Sequence, residues 1–178
     1  MFPVTSKMTN INSEKLNFIL EATKSHKHTG RTFFDHLLQT SGIVEKLCQQ
    51  IGIDDSQYLV DAALFHSIYG TDYYEFNEQI TREKVISLIG EKAEQLVHFF
   101  CSLTDRSVQI LQHKFQPSLQ RDLYILEYAN VLEISITDVQ KTSALNPSKI
   151  FRLKLMRANL IDHYGFKMPP IPFSFGDK

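Results

Sequence analysis

The stretch Ser56–Gly70, SQYLVDAALFHSIYG, decides the fold. It is apolar nearly all the way round, and a helix of that kind belongs at the centre of a domain. Other helices must surround it, and the flanking sequence supplies them. On the N-terminal side, Ser13–Lys24 opens with SEK and carries Leu16, Ile19 and Leu20 at helical spacing. The polar stretch SHKHTGRT follows as a loop around Gly30. A second helix is predicted from Thr32 to Gln50, with Ile43, Val44, Leu47 and Ile51 on one side and Gly52 closing it. On the C-terminal side, Asp72–Gln79 is an aromatic and acidic loop. ITREKVISLIG then predicts a helix with Thr81 as N-cap and Gly90 as stop, and Glu91–Leu103 predicts another. Ser118–Val139 is a long apolar-rich helix, and Asn146-Pro147 starts the last one, to about His163.

No proline lies between Pro3 and Pro117, which favours helices over a turn-rich β fold. The expectation is an all-α fold, a single helical bundle of about six to eight helices over residues 1–178. Its core runs from about 13 to 163, and the Pro-rich, aromatic tail 164–178 lies extended against the body.

The chain has 178 residues, 43% of them hydrophobic, enough for a real core in one domain. Nineteen Lys plus Arg against twenty Asp plus Glu leave a net charge of −1. That balance removes the simplest case for a nucleic-acid or acidic-lipid partner. MFPVTSKMTN has no signal-peptide core, and no apolar run approaches a bilayer span, so no membrane partner is expected. Cys48 and Cys101 make no disulfide framework, which fits a reducing cytoplasm.

Function must come from the histidines. At about 100° per residue, His36 lies within the arc of Ile43, Leu47 and Val44 and faces the interior. His66, beside Ala62, Ala63 and Phe65, is buried whichever way its helix turns. Two imidazoles on neighbouring buried helices could share a metal or a proton-transfer site, or each could be a core histidine satisfied by one hydrogen bond. Asn130 falls at the centre of the stripe drawn by Leu119, Leu123 and Leu126, with Glu127 and Glu133 about 60° to either side. A polar cluster there is an internal hydrogen-bond network or the floor of a site.

The order His36, His66 and a polar residue in the late helix resembles the HD superfamily of metal-dependent phosphohydrolases. The pattern is most similar to the hydrolase domain of the enzymes that make and degrade the alarmone (p)ppGpp. Thr29-Gly30 followed by TFFDH, DAALFHS from Asp61 to Ser67, LIGEKAEQLV, and EYAN from Glu127 to Asn130 carry the likeness. It covers about His26 to Ile134, and FHSIYGT looks like the signature of an uncharacterised HD-like subfamily. The resemblance implies a bundle of the HD type, with His36 and His66 as metal ligands. It also shows departures. Ser67 and Asn130 stand where the two aspartate ligands belong, and Gly70 and Thr71 stand where the alarmone hydrolases place a Glu-Asp pair. A hydroxyl and a carboxamide do not offset a dication's charge, so alarmone hydrolysis is not expected.

Three readings follow. In the first, the domain binds a small anionic or nucleotide-like ligand without hydrolysis, held by Lys27, His28 and Arg31 with Asn130 and Glu127; the competing reading is an ordinary solvated basic loop. In the second, a divalent metal (iron, zinc or manganese) sits on His36 and His66, completed by Glu127 or Glu133, or by His98 and His113. Such a set suits iron or zinc better than manganese. In the third, His66 is a metal-free base, with Ser67, Tyr69 or Asn130 orienting the substrate. Homodimerisation through the first or last helix, or through Phe173 and Phe175, competes with the reading of an ordinary surface helix that closes the bundle.

Overall fold

A computed structural model describes residues 12–24, 27–28, 31–70 and 80–173, residues 27–28 by backbone alone. Among them the fold is all-α, with eight helices and one very short hairpin. Helix α1 (Ser13–Thr23) is capped by Asn12, whose side chain accepts from the Glu14 N–H. It buries Ile19, while Leu20 on the predicted apolar stripe stays exposed. The stretch read as a loop instead contains β1 (Lys27–His28) and β2 (Arg31–Thr32), paired antiparallel.

Helix α2 (Phe33–Ile51) starts at Thr32, whose hydroxyl accepts from the Asp35 N–H at 3.1 Å. It ends where Gly52 takes a left-handed φ of 75° and returns its N–H to the Cys48 carbonyl. Helix α3 (Gln57–Phe65) follows, and every residue from Tyr58 to Phe65 is buried. α4 (Arg82–Ile89) and α5 (Glu91–Ser102) meet at Gly90, which serves as the stop of one and the start of the other. A short helix, α6 (Arg106–Gln112), was not foreseen in the sequence pattern. Then come the long α7 (Pro117–Thr142) and α8 (Pro147–Tyr164), the latter capped by the Asn146 side chain.

The principal packing is α2 against α3 and α7, α7 against α8, and α3 against α5. Helices α3 and α7 form the interior. α7 is buried on nearly all sides and carries Asp122, Glu127, Glu133, Ser135 and Thr137 inward. One internal clamp joins α3 to α7. The Tyr58 hydroxyl donates to Asp122 at 2.7 Å, Arg121 bonds both, and Lys92 from α5 covers the tyrosine ring. On α8, Ile150, Leu153, Met156 and Leu160 face inward, while Phe151 and Leu155 are exposed. The tail as far as residue 173 has no regular structure, and Arg157 holds it by the carbonyls of Met168 and Pro169. Phe175 lies outside the described residues. No described helix is long and apolar enough to cross a membrane.

Candidate functional site: a buried histidine pair between two arginines

The way helix α3 ends creates the site. The apolar segment runs to Gly70, but the helix stops at Phe65, with His66 as its C-cap. Beyond that point the backbone bonds tighten to the i→i+3 type: Ile68 N–H to Phe65 and Gly70 N–H to Ser67. The His66 side chain helps to end the helix. Its Nδ1–H donates to the Ala63 carbonyl at 2.7 Å, one of the terminal carbonyls a helix leaves unsatisfied. The His66 carbonyl in turn accepts from the Cys101 thiol of α5 at 3.3 Å.

His66 therefore points Nε2 towards α2. There it meets His36 Nε2 at 3.3 Å, with the ring planes at 78°. Both imidazoles are buried, 2% exposed for His36 and 1% for His66. On its far side, His36 Nδ1–H donates to Glu133 Oε2 at 2.5 Å. The other Glu133 oxygen accepts from Arg31 and from the Thr137 hydroxyl. Glu133 thus joins β2, α2 and α7 in one cluster.

A carbonyl can only accept, so His66 Nδ1 must carry a hydrogen; the carboxylate requires the same of His36 Nδ1. Burial holds His36 far below the usual imidazole range, at about 3; the charges of Arg31 and Arg106 push the same way, and the Asn130 side chain opposes them.

This depression has a measurable consequence. From the ordinary pKa of 6.5 down to about 3, the unfolded chain takes up a proton at His36 and the folded chain does not. Stability is then fully present above the unfolded value and is lost as the pH falls through the window. The expected slope from this one group is about 1.4 kcal/mol per pH unit. Urea unfolding of chelator-treated protein at pH 6.5 and 5.0 should show that loss, and His36→Gln should remove it. Equal slopes in the two proteins would assign the loss elsewhere.

Arg106, the first residue of α6, approaches from another direction. Its guanidinium lies over the Phe100 ring at 4.5 Å, and that ring packs edge-on against His66. The next residue, Ser107, donates to Glu127, whose second oxygen accepts from Asn130 at 3.0 Å. Two buried guanidinium nitrogens here, Arg31 Nε and Arg106 Nη1, meet no hydrogen-bond partner among the described residues. A buried donor left so costs on the order of 1–3 kcal/mol. The cluster reaches the surface through Arg31, Arg106 and Asn130, which are partly exposed.

The residues named from sequence are distributed as follows. His36, His66, Arg31, Asn130, Glu127 and Glu133 gather in this cluster. Ser67 is buried in the turn after α3. Tyr69 gives its hydroxyl to Glu94, which also takes two bonds from Arg82. His98 and His113 are exposed, His98 against the Tyr69 ring and His113 near Phe115. The side chains of Lys27 and His28, and residue Thr71, lie outside the described residues. No three described His, Cys, Asp or Glu side chains are grouped to hold a metal ion. Glu133 shows why: its two oxygens already serve His36, Arg31 and Thr137.

Sequence reasoning missed Arg106, Ser107 and Phe100. Arg106 and Ser107 belong to α6, a helix too short for its periodicity to stand out. Phe100 entered no candidate set. Burial pushes the free thiols away from the thiolate form, Cys48 up to about 12 and Cys101 up to about 11.

Residues 19–106 match the model of a family described as a domain of unknown function, DUF6817. The matched stretch begins within α1 and ends at Arg106, so it takes in Arg31, His36, His66 and Phe100. Glu127, Asn130 and Glu133 of α7 lie beyond it. No curated protein and no solved structure matches the chain.

Proposed function

We propose that this is an HD-like binding domain that takes a small anion beside the His36–His66 pair and does not hydrolyse alarmone. The observation that carries the reading is the pair of buried guanidinium nitrogens without partners among the described residues, Arg31 Nε and Arg106 Nη1. Each belongs to a cation close enough to depress His36, and neither donor has a hydrogen-bond partner among the described residues. An oxyanion between them would satisfy both. The resemblance to HD hydrolases supports the location. The absent carboxylates at Ser67, Gly70, Thr71 and Asn130 argue against hydrolysis there.

A second reading has its own observation. Imidazoles that bind metal through Nε2 usually donate their other N–H to a carboxylate or carbonyl, as His36 and His66 do. The 3.3 Å between the two Nε2 atoms is also the span of adjacent ligands about 2.0–2.1 Å from a tetrahedral zinc ion. A divalent ion held this way would take its remaining ligands from water or from the bound anion, and would polarise that anion.

Thermal unfolding of chelator-treated protein with phosphate, nucleotides or divalent metals tests both readings. An anion at about a hundred times its Kd should add about 2.7 kcal/mol. For a domain of this size that is a rise in Tm of about 5–10 °C, removed by Arg31→Gln. A rise with zinc or iron alone, lost in both His36→Gln and His66→Gln, would favour the metal. No rise with any anion would sink the first reading.

A further inference from the structure

We infer that the outer face of α8 is a homodimer interface, on which two copies of the chain pack α8 against α8, antiparallel, about a twofold axis at Leu155. No residue of the histidine–arginine cluster takes part.

Phe151 is 63% exposed, the most exposed large hydrophobic side chain among the described residues, and Leu155 one turn on is 37% exposed. At about 100° per residue, Ser148, Phe151, Leu155, Ala158 and Asp162 fall within an arc of about 80°. All five are exposed. This stripe lies opposite Ile150, Leu153, Met156 and Leu160, which α8 buries against the bundle. The buried face already meets what folding requires of an amphipathic helix, so Phe151 and Leu155 are surplus to it.

The stripe is complementary to itself. Turned end for end about Leu155, it sets Phe151 against Ala158, the largest side chain of the face against the smallest. Leu155 meets its own copy at the axis. Beside Ala158 lies a groove of about 430 Å³ between α8 and the tail, with Ile161, Pro170 and Ile171 among its walls. It offers the Phe151 ring of the second copy a largely apolar seat.

Charge agrees with the same register. Asp162, in the last turn of one helix, comes to Ser148, in the first turn of the other, where the positive end of the helix dipole favours a carboxylate. A parallel pair would set Asp162 against its own copy. Lys154 flanks the axis in both copies, at the rim, where its ammonium stays in water. A face that matches itself in size and in charge selects a second copy of the chain over an unrelated partner.

Sedimentation velocity of the full chain over a concentration series tests this. A helix pair and one seated ring make a small interface, so a monomer–dimer equilibrium with a Kd on the order of 10 µM is expected. Phe151→Asp, at an exposed position, should fold normally and raise that Kd about tenfold or more, the effect of removing a buried aromatic anchor. Cross-linking reads the register. Under mild oxidation Leu155→Cys should form a disulfide-linked dimer, because a residue at the axis lies close to its copy. Ser148→Cys should not, since its two copies lie about 21 Å apart along the helices. Wild-type protein oxidised in parallel sets the baseline from Cys48 and Cys101. A chain that stays monomeric at concentrations far above the expected Kd would overturn the inference. So would a dimer that Phe151→Asp leaves unchanged, which would place the interface on another face. Equal cross-linking of Leu155→Cys and Ser148→Cys would overturn the antiparallel pairing, and the inference with it.

Discussion

Replacing Glu133 by alanine is expected to destabilise the protein by about 3–5 kcal/mol, the usual result of breaking a buried ion pair from one side. The carboxylate is 1% exposed and serves three partners, Arg31, His36 and Thr137. Its removal strands a guanidinium whose side chain is only 14% exposed, and it strands the His36 Nδ1–H as well. Arg31 can swing part of its charge towards water, which places the expected loss near the lower end. Glu133→Gln keeps an oxygen for His36 but removes the charge, and should lose about 1–3 kcal/mol. Chemical denaturation measures both variants. A loss below about 1 kcal/mol in Glu133→Ala, by the same reasoning, would mean that the cluster does not hold together in the folded protein.

Truncating Phe100 to alanine should cost a similar amount, about 3–5 kcal/mol, by the cavity it leaves in the centre of the bundle. Phe100 is fully buried. Its ring supports two functional groups, the His66 imidazole on its edge and the Arg106 guanidinium on its face. The cation–π contact alone is worth about 0.5–2 kcal/mol. Phe100→Leu refills much of the volume without restoring the aromatic face. It should therefore recover most of the stability while anion affinity stays weakened. Denaturation and calorimetry on the two variants separate packing from positioning. Full recovery of affinity in Phe100→Leu would show that the ring acts only by filling space.

The helical architecture was legible because its signals are local. Thr81 caps α4, Gly52 closes α2 in the left-handed conformation, and Asn146-Pro147 opens α8. Each needs only a few residues of context. The inward direction of His36 and His66 was legible too, since it follows from apolar neighbours at known angles. What the sequence pattern could not reveal were relations between distant segments. α3 stops at Phe65 and an imidazole takes the Ala63 carbonyl, a contact that no periodicity expresses. Glu133 was considered as a metal ligand, but its oxygens are directed to His36 and Arg31 by the way α7 crosses α2 and β2. The hairpin strands are two residues each, too short to alternate visibly. Arg106 entered no candidate set because its helix is seven residues long and its partners lie on α5.

The bond between His36 and Glu133 joins residues 97 positions apart. Closing so long a loop costs more chain entropy than a local contact does. The recognised stretch, residues 19–106, stops before α7, the helix that fills the interior. A fragment cut at that boundary would keep both histidines and both arginines. It would lack the carboxylate that sets one ring's tautomer and the apolar wall against which α2 and α3 pack. The histidine–arginine cluster is therefore a property of the completed chain, and its amide hydrogens should exchange only when the whole bundle opens.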